Sequence, residues 1–237
     1  MKSWNYNKYY ELSLGILVFL MILVPSLVGV GIIILLAVWV FGIIKREVEF
    51  KFNFLNLLLL VFYVVYLFGV LYTNNMDLAG KYLEYKMALI LFPVVFSFMP
   101  KNKLSLRIPA LFMIAATAIV SIIGLFSAVL LYNETGNVKS LLSTSVSFIH
   151  HPTYLSLYAA FCCAILIYGL KSKWIYFTKR NVLFLFFFFF VAQILCVSLA
   201  GVLFILSYIV YLTFSTIKKR LSNPIFIAFV CATFLAL

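Results

Sequence analysis

Two stretches of this chain are too long and too apolar for any single helix that fits a bilayer. Leu12–Ile44 runs 33 residues without a charge and Val182–Thr216 runs 35. As unbroken helices they would extend about 50 Å and about 52 Å, whereas a bilayer core needs about 30 Å. Each must therefore fold back on itself. Pro25-Ser26 divides the first into a short span and Val28–Ile44; Ser198–Gly201 is the expected break in the second. Further apolar runs sit between short polar segments: Phe54–Tyr72, Met87–Met99 around Pro93, Ile108–Leu131, Thr153–Leu170 and, at the end, Pro224–Leu237.

The expected fold is therefore all-α, a polytopic helical transmembrane bundle of about eight to nine spans, read as one domain over residues 1–237. Only 10% of the residues are charged, against about 25% in a soluble domain. The apolar runs do not alternate with polar residues, which excludes a transmembrane β-barrel. Pro224–Leu237 is 14 residues, about 21 Å, so the chain reads as the N-terminal part of a longer protein with an incomplete last span.

The net charge of +12 does not indicate nucleic acid, because the basic residues form clusters between spans and not one face. With the N-terminus in the cytoplasm, 15 Lys and Arg fall in inside segments and 3 in outside ones, as the positive-inside rule requires. That split places Thr73–Lys86, Tyr132–His151 and the Ser198 turn outside. Cys162, Cys163, Cys196 and Cys231 all lie in apolar runs and read as small hydrophobes. No CxxC or HxxxH spacing occurs, so no metal site is expected.

Polar chemistry is confined to a few places. His150 and His151 are the only histidines, and they precede Pro152 and an apolar run. They can contact a diphosphate or relay a proton, or they can mark an interfacial helix start with Pro152 at the first helical position. Tyr154 can hold a substrate hydroxyl or belong to an interfacial aromatic belt. Lys81 and Lys86 lie outside, against the positive-inside trend, as candidates for a phosphate; the alternative is an amphipathic helix on the membrane surface with Asp77 and Lys81 paired. Gln193, inside a span, is expected to hydrogen-bond another helix.

Three stretches in this order resemble the O-antigen ligase/polymerase family of bacterial envelope proteins: LYTNNMDLAGKYLEYKMALILFPVVFS (Leu71–Ser97), HPTYLSLY (His151–Tyr158) and SLAG (Ser198–Gly201). The resemblance implies a multi-pass protein of the bacterial inner membrane. It implies transfer of a glycan from an undecaprenyl-diphosphate-linked donor to a lipid or glycan acceptor at the periplasmic face, without metal or cofactor. Such a transfer needs cations on the leaving diphosphate and a base on the acceptor hydroxyl. His151 is the candidate catalytic residue within this chain; Lys81, Lys86, His150, His151 and Tyr154 are the candidate substrate contacts. Leu199 stands where the family often has a cationic side chain, and the family's essential periplasmic loop would follow residue 237. Two other functions fit the composition: a secondary transporter or flippase subunit, and a non-catalytic truncated membrane protein.

Overall fold

A computed structural model describes residues 5–102, 104–147, 149–172 and 177–217. The expected ninth span Pro224–Leu237, the basic cluster Lys218 to Arg220 and Cys231 lie outside the described residues.

The described chain is all-α apart from one small strand pair. Nine α-helices run in order: α1 Tyr6–Leu23, α2 Val28–Ile44, α3 Phe54–Val70, α4 Met76–Tyr85, α5 Ala88–Ser97, α6 Arg107–Thr135, α7 Pro152–Ser172, α8 Lys179–Leu195 and α9 Leu199–Ile217. Three helical stretches are long and apolar enough to cross a membrane: Pro25–Ile44, Arg107–Thr135 and Pro152–Leu170. Phe54–Val70 and Gly201–Tyr211 are shorter apolar helices.

Short polar residues set the helix starts. Asn5, Asn53, Asn75 and Thr178 each accept the backbone N–H three residues on, opening α1, α3, α4 and α8. This satisfies one amide that a helix start otherwise leaves unpaired.

The chain divides into two compact units, Met1–Ala116 and Thr117–Leu237, with the division falling inside α6. In the first unit α1 and α2 pack as a hairpin joined by a 3-10 turn at Pro25–Leu27. Two glycines set the closeness of this pair. A Cβ on Gly42 would overlap the Tyr6 phenol, and one on Gly31 would lie 3.0 Å from the Leu17 backbone. Tyr6, Tyr10, Leu14, Leu17, Leu35 and Val95 form the buried core around it.

Helix α3 packs on α5 in the same unit. Their far ends are tied by two strands absent from the sequence reading, β1 Val48–Phe50 and β2 Phe98–Pro100, paired antiparallel with Phe50 opposite Phe98. The apolar segment expected to continue to Met99 therefore stops being helical at Ser97. Asn56, which the sequence reading did not single out, sits within α3 and is buried. Its Nδ2 donates to Ser97 Oγ at 2.9 Å, and that hydroxyl donates to the Pro93 carbonyl at 2.6 Å. Glu11 is also buried, and its Oε1 accepts the Ser105 amide at 2.7 Å, just before α6.

In the second unit α7 packs against α8 and α9. Its buried face carries Ala159, Ala160, Cys162 and Cys163, small residues that let helices approach where hydrocarbon solvent supplies no hydrophobic drive. The phenylalanine run of α8 splits by face: Phe189 is fully buried, while Phe184 and Phe187 are exposed. The turn between α8 and α9 lies at Cys196–Ser198, earlier than the expected Ser198–Gly201, since Leu199 already opens α9.

Gly31→Ala and Gly42→Ala should each lower stability by about 1–3 kcal/mol through overpacking. Gly29, with nothing within 4 Å of an added Cβ, should tolerate alanine or gain up to about 1 kcal/mol of helix propensity. Thermal unfolding of the purified variants in detergent separates the two classes.

Candidate functional site

The segment between α6 and α7 is the longest described stretch without α-helix or strand, and it is not splayed from the protein. Gly136 leaves α6 with φ +64°, a conformation glycine adopts at little cost. Two 3-10 turns follow, Val138–Leu141 and Ser143–Ser145. The chain then folds back on α6. Val146 is fully buried, Ser147 nearly so, and a Cβ at Gly124 would overlap the Val146 carbonyl oxygen.

Gly124 lies eleven residues before Thr135, the last residue of α6. At 1.5 Å per residue the loop returns about 16 Å along the helix. Non-helical backbone at such depth in an apolar helix needs protein around it, and the single glycine gives it a seat.

From that seat the loop climbs to the start of α7. Ser147 Oγ donates to the His150 carbonyl, which holds the last turn. His151 is the N-cap of α7 and Pro152 its first residue. The His151 carbonyl accepts the Tyr154 amide at 2.8 Å. Its Nδ1 lies 3.0 Å from Thr153 Oγ1 and 3.4 Å from the Thr153 amide. Both contacts engage Nδ1 and neither engages Nε2. His151 is exposed, so Nε2 is the ring nitrogen left to meet a ligand.

The two imidazoles diverge. The His150 ring meets Tyr158 edge-on at 5.5 Å, and the His151 ring meets Tyr154 at 6.5 Å. Tyr154 is itself exposed. His150, His151 and Tyr154 thus share the first turns of α7, with one ring turned to α7 and the other to its N-terminal end. No group of three metal-ligating side chains exists among the described residues.

Lys81 and Lys86 belong to the first unit. Lys81 is exposed on α4, and no ion pair joins it to Asp77 among the described residues. The Asp77–Lys81 pair of the alternative reading is therefore not formed among the described residues. Lys86, just past α4, places its ammonium over the Tyr66 ring at 5.4 Å from the centroid, a cation–π contact. It is the more fixed of the two cations.

The α8–α9 turn lies within the second unit as well. Gln193 Nε2 donates to the Gly201 carbonyl at 2.8 Å, the interhelical bond expected of it. Gly201 serves close packing and not the turn: a Cβ there would overlap Ser156 Oγ. Val197 takes the left-handed conformation at φ 46°, which costs a β-branched residue roughly 1–2 kcal/mol. Leu199, where the resemblance leads one to look for a cation, is exposed at the first position of α9.

Sequence reasoning did not single out Gly124, Val146, Ser147 or Ser156. An isolated glycine in an apolar run was the one available signal, and it does not say what fills the notch.

Comparison with protein-family models, curated proteins and solved structures finds no match for this chain.

The seated loop makes a direct prediction. A cysteine at Ser147 should resist a membrane-impermeant thiol reagent in otherwise native protein. Adding Gly124→Val should expose it and raise labelling several-fold, while a cysteine at the exposed Val138 labels equally in both backgrounds. Equal labelling at 147 and 138 in the native background would show that the loop is not seated.

Proposed function

We propose that this chain is part of a membrane glycan transferase of the O-antigen ligase/polymerase kind. In this reading it is a multi-pass protein of the bacterial inner membrane with about eight to nine spans and a cytoplasmic N-terminus. It engages an undecaprenyl-diphosphate-linked glycan at the periplasmic face, and a lipid or glycan acceptor receives the sugar.

The observation that carries the reading is the start of α7. A polar loop is drawn down beside α6, and it delivers His151 to a helix N-terminus with Nε2 left to meet a ligand. A helix N-terminus presents the positive end of its dipole to an anion. The imidazole beside it adds a contact for a phosphate oxygen, and Tyr154 adds a hydroxyl one turn on. Nδ1 is engaged with Thr153, so in this reading Nε2 is the nitrogen that meets the diphosphate. Lys81 and Lys86 are the further phosphate-binding cations of this reading.

The test uses the gene in its own host. Deleting it should shorten or detach surface polysaccharide on gels and leave lipid-linked donor accumulated; unchanged polysaccharide and no accumulation would refute the transferase reading. Restoring the gene with His151→Asn keeps a good N-cap but removes the imidazole. Loss of complementation with normal membrane levels supports the diphosphate contact. Full complementation reduces His151 to its capping role.

A further inference from the structure

The second unit carries a charge imbalance that its own side chains do not resolve. Residues 117–237 hold eight Lys and Arg against a single carboxylate, Glu134. Four of those cations, Lys171, Lys173, Lys179 and Arg180, fall within one ten-residue stretch. Glu134 precedes α7, in the last turn of α6, whereas the cluster begins in the last turn of α7. The 21 residues of α7 run about 31 Å. Neither Lys179 nor Arg180 forms an ion pair among the described residues.

The positive-inside rule accounts for cations in this stretch. It does not account for where two of them stand. Helix α8 opens with Lys179 and Arg180, directly after the Thr178 cap, and its first turn has no acidic residue. The positive end of a helix dipole favours anions there and disfavours cations. A local rule broken in this way is expected at functional positions, and an anion brought to this turn would offset both the dipole and the like charges.

A pocket lies at the same turn. Its volume is about 380 Å3, and Phe177, Arg180, Asn181, Phe184 and Leu185 line it. The last four recur at one-turn spacing, so they share one face of α8. Arg180, Asn181 and Phe184 are exposed. After Asn181 no polar side chain occurs before Gln193. The face thus passes from a guanidinium and an amide to aromatic and aliphatic side chains within one turn.

That order fits an amphiphile. Arginine recognises phosphate oxygens, and Phe177, Phe184 and Leu185 offer apolar surface to what the phosphate carries. A soluble anion would use the cation and leave the apolar lining in water. The unpaired positive charge favours a headgroup with net negative charge over a zwitterion.

We propose that this pocket binds the headgroup and first acyl segment of an anionic phospholipid, with Arg180 on the phosphate and Phe184 and Leu185 along the chain. The site rests on α8 lying in the bilayer, as in the function proposed above, and not on glycan transfer.

The experiment uses the full chain in phosphatidylcholine nanodiscs. A trace of phospholipid carries a diazirine near the carbonyl end of one acyl chain, as phosphatidylglycerol in one sample and phosphatidylcholine in the other. After irradiation, adducts are mapped by peptide mass spectrometry. Adducts at Phe177, Phe184 and Leu185 should be several-fold higher from the phosphatidylglycerol probe. Phe126, exposed on α6, should be labelled equally by both. Arg180→Gln should remove most of the preference, and Lys101→Gln, at an exposed cation of the first unit, should leave it intact. If Arg180→Gln does not fold, the native chain decides alone: equal labelling of the pocket residues by the two probes would overturn the proposal. Equal losses from Arg180→Gln and Lys101→Gln would also overturn it, since the cations would then act only as diffuse surface charge. So would loss of the preference on adding a nucleoside triphosphate equimolar with the protein, since the occupant would then be a soluble anion. Absence of adducts from both probes at Phe184 and Phe126 alike would overturn it together with the membrane placement it shares with the proposed function; the other outcomes leave that placement standing.

Discussion

Irregular backbone cannot face hydrocarbon, because each unpaired amide or carbonyl there costs several kcal/mol. That constraint bears on how this chain handles three of the breaks between its described helices. Pro25–Leu27 closes a turn between α1 and α2 in three residues. The β1–β2 pair gives the segments around Phe50 and Phe98 a backbone partner in each other. Between α6 and α7 the break is longest, and the solution is a seat in α6 where Gly124 admits the Val146 carbonyl side. In each of the three tightest approaches a glycine faces a polar group: the Tyr6 hydroxyl, the Val146 carbonyl and the Ser156 hydroxyl.

The same logic links fold to chemistry. Only where backbone has been sealed by protein can polar side chains be held near apolar helices. The loop seated on α6 ends in Ser147 and His150, and its last residue, His151, caps α7. The capping bond fixes which imidazole nitrogen remains available. Nε2 is the nitrogen left to meet a ligand at the α7 start.

Much of the helical plan was legible because charge and proline mark it. The start of α2 at Val28 follows from Pro25-Ser26, and α7 begins at Pro152, one residue from the expected Thr153, because proline suits the first helical position. The polar stretch before Met87 was read as a helix, and α4 fills most of it. Gln193 bonds the neighbouring helix as its polarity in an apolar run implied. Other features were hidden for physical reasons. The β1–β2 pair joins residues about fifty positions apart in three-residue strands, too short to show alternation. The α8–α9 turn sits at Val197, whose side chain gives no turn signal. The Gly124 seat depends on a carbonyl, which every residue carries. At the candidate site, the residue types near α7 were visible, but the direction of each imidazole was decided by contacts with Thr153, Tyr154 and Tyr158.

The central claim is that the loop before α7 is seated in α6. Hydrogen–deuterium exchange of the full chain in lipid nanodiscs tests it without altering a residue. The account predicts slow exchange for the amides of Val146 and Ser147, on the minutes-to-hours scale of local opening, beside fast exchange at Gly136, Asn137 and Val138. Equally fast exchange across 136–147 would contradict it, and the α7 start would then be a free helix end without a built approach.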